Sequence, residues 1–426
     1  MSSRTAAPSR APHDVNAATP RRDWRIFTLV TFLFGFGFTV YSGVFQNFLR
    51  DELHAQAFDL GRIESLREIP GLLAAIMAGT LVALAETRVA GLGLLITAVG
   101  IAVTGWMGHY AGLIAVTVFW SVGFHLWASV SSSITLALAK GQEGGRHLGR
   151  MSAVGATATL GGLGLAIILA NFLPKMGIEQ RLLYKINFLI AGSAIFAAAL
   201  LCFSVSAHGD TAGSRARIIL RKEYGLFYLL TFLEGCRRQI FSIFASFALI
   251  LVYHVPLRSM LALQFVNAIM IWFTAPAIGK LIDRRGERAP LTFYSIGLIV
   301  VFLGYATFQT VGALYTLFLL DNVLFSFGVG FTTYLHRIVR PNELTPCLSM
   351  GVTMNHIAAV TVPIGGAWLW EHYHDYQLPF KIGVAIACVS LIATRWLPRD
   401  AVGKPMTTIV PETSPQEEVP AYVTAD

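Results

Sequence analysis

Apolar runs of about twenty residues, each long enough to cross a bilayer core of roughly 30 Å, follow one another along nearly the whole chain. They fall near 26–49, 60–84, 90–108, 111–139, 151–173, 183–205, 223–252, 257–281, 289–309, 312–337, 347–370 and 379–397. Strands that build membrane barrels are short and alternate in polarity, and these runs do neither. Composition agrees: of 426 residues, 55% are hydrophobic and only 13% charged, with a mean hydropathy of +0.61. That is no ordinary soluble domain. The expected fold is an all-α, multi-pass membrane protein of twelve spans.

The basic residues orient it. With the N-terminus inside, the inner loops carry Arg88, Lys140, Arg146, Arg150, Arg215, Arg217, Arg221, Lys222, Lys280, Arg284, Arg285, Arg288, Arg337 and Arg340. The outer loops carry only Arg50, Lys175, Arg181, Lys185, Arg258 and Lys381. This bias puts both termini in the cytoplasm of an inner membrane, and the net charge of +8 becomes a topology signal. Nucleic-acid binding would need those residues gathered on one face, and they are not. Residues 1–22 and 399–426 read as disordered cytoplasmic tails without a signal peptide. Cys202, Cys236, Cys347 and Cys388 lie at no metal-ligand spacing, so buried thiols are expected, with no metal and no disulfide framework.

The chain also repeats itself. Thr31, Phe32, Leu33, Gly35, Ser42 and Leu49 recur two hundred positions later as Thr231, Phe232, Leu233, Gly235, Ser242 and Leu249. The register continues without a gap through His54 and His254, Gly79 and Gly279, Leu81 and Leu281, Arg88 and Arg288, and Gly112 and Gly312. Two halves on one hydropathy plan imply duplication of one unit, an organisation common in transporters. The polar segment SAHGDTAGSRAR (206–217) falls midway. The expected division is a six-helix bundle over 23–205, a cytoplasmic linker over 206–222 and a second bundle over 223–398.

The eighth span ends in GKLIDRRGERAPL (279–291). Gly279 permits close helix approach, Asp283 can cap a neighbouring helix, and Arg284, Arg285 and Arg288 hold the turn on the cytoplasmic side. This segment resembles the loop signature of the major facilitator superfamily, G-x-L-x-D-R-x-G-R-[KR], with Gly279, Leu281, Asp283, Arg284 and Gly286 on the pattern and Glu287 in place of an arginine. Its first-half counterpart, GTLVALAETR (79–88), has Ala83 where the acid belongs, with Glu86 nearby. TVPIGGAW (361–368) is similar to the superfamily's antiporter motif but lies in span 11, while span 5 has Gly161 and Gly162 without a proline. The resemblance, over about 26–397, implies two bundles around a central cavity lined by spans 1, 4, 7 and 10, rocking to give alternating access.

Charges inside spans cost at least roughly 2.5–3.5 kcal/mol, so those retained are candidates for function. Span 7 places Glu234, Arg237 and Arg238 on one face, with Arg237 roughly 20 Å in. Span 2 does the same with Glu64, Arg67 and Glu68, putting Arg67 at similar depth. Two roles fit: each arginine is neutralised by glutamate on its own turn, or Arg237, Arg238 and Arg67 hold an anionic group, as guanidinium does well. In span 7 two cations share one acid, leaving a charge for a ligand. Tyr41, Gln46, His125, Asn267, Asn322 and Asn355 add polar groups at mid-depth, where packing hydrogen bonds compete with ligand contacts. The candidate substrate contacts are therefore Arg237, Arg238, Arg67, Tyr41, His125 and Asn355. Glu234, Asp321 and His356 are the candidate proton carriers.

These features favour a secondary active transporter of a small solute, proton-coupled, leaning toward an anion and working as a monomer. TVPIGG leans instead toward a drug or metabolite efflux antiporter, and a transporter-like sensor or assembly factor without flux is a further alternative. A membrane enzyme such as a lipid-modifying acyltransferase would need a His/Asp or Ser/His constellation at the interface; H-x-x-x-x-D occurs once, from His54 to Asp59, while an H-E-x-x-H run and the phosphate-cradling glycine–lysine loop of an ATP-driven pump are both absent. No enzymatic activity and no cofactor are expected.

Overall fold

The computed structural model describes residues 18–73, 84–139, 144–206, 220–340 and 343–398. Twelve helices run through them: α1 (Ala18–Leu53), α2 (Ala57–Leu72), α3 (Glu86–Thr104), α4 (Tyr110–Leu138), α5 (Gly144–Phe172), α6 (Gln180–Phe203), α7 (Gly225–Leu251), α8 (Leu257–Arg285), α9 (Arg288–Thr307), α10 (Val311–Ile338), α11 (Leu344–His372) and α12 (Leu378–Thr394). Nine of these are, as described, long and apolar enough to cross a membrane unaided. No strand occurs among the described residues. The tails beyond Ala18 and Pro398, most of the linker and Gly79, Leu81 and Ala83 of the first hairpin lie outside them.

The duplication is visible in the backbone. His54 and His254 both turn through a left-handed φ of 51°. Ala55 N–H donates to Leu49 O at 3.1 Å, and Val255 N–H donates to Leu249 O at 2.9 Å, the same turn two hundred residues on. Gly35 and Gly235 make equivalent close approaches, to Ala158 and Ala358 respectively. These are backbone demands, which is why they outlast the side-chain identities between the halves.

Three local features depart from the sequence reading. Helix α1 begins at Ala18, inside the expected polar tail, because Pro20 sits in the first turn, where its missing N–H goes unneeded. Helix α7 is interrupted: an α segment, Gly225–Gln239, passes into a π turn, Ile240–Ala245, and then Ser246–Leu251. Helix α10 contains a 3-10 turn at Ser326–Gly328. Wide and tight turns of this kind loosen the carbonyl ladder; in α7 the Ser242 carbonyl accepts from Gln46 Nε2 at 3.4 Å.

Within the first bundle α3 packs on α4 and α6, and α1 on α5 and α6; within the second, α9 packs on α12 and α11 on α7. Between bundles, α2 meets α11 and, by the pseudo-twofold, α8 meets α5. Bonds across this seam run from mid-depth to the end holding the α1–α2 and α7–α8 turns. Arg50 Nη1 donates to Ile250 O at 2.8 Å, Phe58 N–H to Glu371 Oε2 at 2.9 Å, and Ile364 N–H to Ser65 Oγ at 3.1 Å. Gly61 brings α2 against the Pro363 carbonyl and Ala367 of α11. TVPIGG thus serves as a packing joint. Toward the opposite end, which carries both termini, Ala128 and Val352 are exposed between the bundles.

At that open end the hairpin differs from expectation. Asp283 is exposed and caps no helix among the described residues. Glu287, the departure from the signature, is buried and pairs with Arg337 at 2.9 Å. Glu86 accepts from Ser133 Oγ at 2.8 Å, tying α3 to α4. Glu343, just before α11, accepts from Arg221 Nη2 at 2.8 Å and from Tyr224 Oη at 2.5 Å. Burial pushes the Glu343 carboxyl up, but the Tyr224 and Arg221 bonds outweigh it and hold the group below its ordinary value. Such a group adds stability above its ordinary range and loses it as pH falls through the lower folded value. Glu343→Gln is therefore expected to lower the thermal midpoint at about pH 7 and to lower it progressively less as pH falls below the ordinary carboxylate range. An equal loss across that range would assign the effect to packing.

Candidate functional site

Two connected cavities lie between the bundles. The first, about 530 Å³, is bounded by α1, α2 and α5 on one side and α7, α8 and α10 on the other. The second, about 580 Å³, is bounded by α1, α2 and α4 opposite α7 and α11. Ser42, Arg67 and Ser242 line both. The shared position of Ser42 and Ser242 follows from the repeat, and Ser242 lies in the π turn.

Five carboxamide side chains, Gln46, Asn47, Gln264, Asn267 and Asn322, face the first cavity. On residues lining this cavity, Tyr41 Oη, Gln46 Oε1, Asn47 Nδ2 and Asn267 Oδ1 are sealed and have no partner among the described residues. A polar atom buried without a partner costs roughly 1–3 kcal/mol, so a side chain that rotates to meet a solute's hydrogen-bonding group recovers that cost. Tyr41, an expected ligand contact, is otherwise packed among Phe38, Phe45, Trp120 and Phe188.

The expected charges separate into two arrays. In the first, Arg237 is 2% exposed. Its Nη2 meets Glu234 Oε1 at 2.8 Å and its Nη1 meets Asp321 Oδ2 at 2.7 Å. Tyr294 donates to the other Glu234 oxygen. The expectation that Arg237 and Arg238 share one acid is corrected here: Asp321, from α10, supplies a second. Arg237 binds both acids through its two terminal nitrogens, while its Nε has no partner among the described residues. Of the two span-7 arginines it is Arg238 that faces a cavity, the second, where it is exposed, lies over Phe325 at 5.3 Å and makes no ion pair among the described residues. Sequence reasoning named all these groups but could not see that 84 positions of chain bring Asp321 to Arg237.

In the second array Arg67 Nη2 meets Glu64 Oε2 at 2.8 Å and Glu68 Oε1 at 2.9 Å. This matches neutralisation from its own turn. The other Glu68 oxygen lies 3.1 Å from His356 Nδ1 and 3.9 Å from His125 Nε2. His356 is therefore apart from Glu234 and Asp321, so the expected proton carriers do not form one group. Asn355 donates to Gly351 O at 3.3 Å, packs on Gly235 and lines the second cavity. Glu68 was missed as a site residue. Its signal is the following Pro70–Gly71, since a Cβ on Gly71 would collide with His356 Cε1 and His125 Nε2. Across both arrays four carboxylates face three guanidiniums, an excess of one negative charge.

The family model of the Major Facilitator Superfamily matches residues 27–336. Among solved structures, a point mutant of the nucleoside transporter NupG aligns with a TM-score of 0.73 at 14% identity, over 88% of this chain and 99% of the other. A bacterial homologue of the human lysosomal transporter Spinster, inward-facing and occupied, aligns at 0.69 and 14%, over 87% and 95%. The inward-open xylose transporter XylE from E. coli aligns at 0.64 and 15%, over 90% and 97%. At such identities the likeness is one of fold. Comparison with curated proteins gave no match.

Proposed function

Since this chain belongs to the major facilitator superfamily, with the fold of a secondary transporter, we propose that it moves a small polar solute by proton-coupled alternating access. The observation that carries the substrate class is the wall of the first cavity, lined by five carboxamides with Tyr41 and Ser42. Such a wall suits a neutral solute rich in hydroxyl or amide groups, the general chemistry of the nucleosides and sugars named for structural relatives. An anionic substituent would meet Arg238, since Arg237 is committed to two acids. The excess of one carboxylate around Arg237 supports proton carriage by Glu234 and Asp321: their cluster balances when one of them holds a proton. The distribution of Lys and Arg supports both termini in the cytoplasm of an inner membrane, and hence a cavity open inward. A monomer suffices, because one chain supplies both cavity walls. Pro363 and Gly366 are used in packing and carry no argument for export.

Flux in proteoliposomes tests this. A panel of labelled nucleosides, sugars and short peptides is offered under an imposed pH gradient. One class is expected to accumulate, and Asp321→Asn or Glu234→Gln should cut gradient-driven accumulation at least about tenfold, or about 1.4 kcal/mol, while sparing solute exchange. Accumulation indifferent to both substitutions and to a protonophore would end proton coupling; no flux of any solute would favour a sensor or assembly role.

A further inference from the structure

Glu68, His125 and His356 offer three ligand atoms within 4.8 Å of one another at a wall of the second cavity. Their tautomers can be read from their partners. Ser121 Oγ donates its proton to the Arg67 carbonyl. It can therefore only accept from His125 Nδ1, 3.1 Å away, and the Ser121 carbonyl, 2.9 Å away, likewise accepts from Nδ1. The Nδ1 proton is fixed twice over. Nε2 is left bare, pointing at Glu68 Oε2, itself an acceptor, 3.9 Å off. Two facing acceptors repel unless a cation lies between them, and an imidazole pinned through one nitrogen by a backbone carbonyl is the usual arrangement of a metal-binding histidine.

We propose that these side chains form a binding site for a divalent transition-metal ion such as Zn²⁺ or Co²⁺, with one coordination position open to the cavity. Two imidazoles and one carboxylate are a ligand set such ions take, at about 2.0–2.2 Å each. His356 Nδ1 and Glu68 Oε2 are already spaced for this at 3.1 Å, and a small approach by His125 completes the triangle. Gly71 keeps the space between the two rings free of a Cβ. Arg67 occupies only the other Glu68 oxygen, and with Glu64 and Arg238 nearby the surrounding side-chain charge sums to zero when Glu68 is counted. The site spans the seam: Glu68 and His125 belong to the first bundle, His356 to the second. An ion bound there ties α2 and α4 to α11 and favours this conformation over any in which the bundles separate.

The test is a Co²⁺ titration of the purified full chain, read by the visible absorption of low-symmetry Co²⁺. Saturable binding at one ion per chain is expected. Removing even an outer-shell partner weakens such sites about 10–100-fold, so His125→Gln, His356→Gln and Glu68→Gln should each weaken binding at least about tenfold. Gly71→Ala, which leaves every ligand in place but fills the space between them, should do the same. Solute flux is measured separately, so loss of transport and loss of metal binding are distinguishable. Absence of a saturable Co²⁺ signal in the wild type, or the same affinity in a His125→Gln/His356→Gln variant that elutes as a single monodisperse species, overturns the site.

Discussion

Replacing Arg237 with leucine is expected to destabilise this protein more than any other single change in its cavity walls. The guanidinium is sealed under Tyr294 and Phe325, whose ring centres lie 5.7 and 5.2 Å away, and it bonds two carboxylates from different helices. Leucine keeps the apolar contact but leaves Glu234 and Asp321 facing each other without a cation. Breaking a buried pair by removing one partner costs about 3–5 kcal/mol, because the stranded charge has no water to return to. The readout is the thermal midpoint of detergent-purified protein. Adding Asp321→Asn to the leucine variant removes one stranded charge and should recover part of the loss, with a coupling of roughly 0.5–3 kcal/mol. Arg238→Leu, one position on, should change stability little, since Arg238 is exposed and has no acid partner among the described residues. Equal effects of the two leucine substitutions would refute the assignment of both acids to Arg237.

Gly61→Leu is expected to open the closed end of the seam. A Cβ at Gly61 would stand 2.5 Å from Ala367 Cβ and 2.6 Å from the Pro363 carbonyl oxygen, and the carbonyl belongs to a backbone that cannot swing aside. Overpacking of this kind costs about 1–3 kcal/mol. The strain falls on the interface between bundles rather than within one, so it acts on the conformational equilibrium. A bias of about 1–3 kcal/mol shifts the ratio of states by about 5–150-fold. Spin labels at Phe58 and Glu371, which touch in this structure, should report a longer distance in the variant, and solute flux should fall with it. An unchanged distance with unchanged flux would mean that α2 and α11 slide to accommodate the side chain and that this joint is no gate.

Much of this architecture was legible in the chain because its signals are local or periodic. Apolar length fixes a span wherever it occurs, and the two-hundred-residue register paired His54 with His254, which turn through the same left-handed φ. What escaped reading was non-local. The hairpin signature suggested that Asp283 caps a neighbouring helix, yet the buried acid is Glu287, whose partner, Arg337, comes from the end of α10. The arrays were seen as helical faces, i to i+3 and i to i+4, and each face was right. Their outer partners were not, since Asp321, His125 and His356 approach from other helices.

Sequence alone determined the number of helices and their duplication, because lipid thickness and a fixed rise per residue set the length of every apolar run. Lateral pairing is a different matter. Which helix faces which, and so whether a given arginine is spoken for or free, depends on how the two bundles pack. Only the tertiary structure could set Arg237 between two acids, leave Arg238 to the cavity and bring two histidines onto one glutamate.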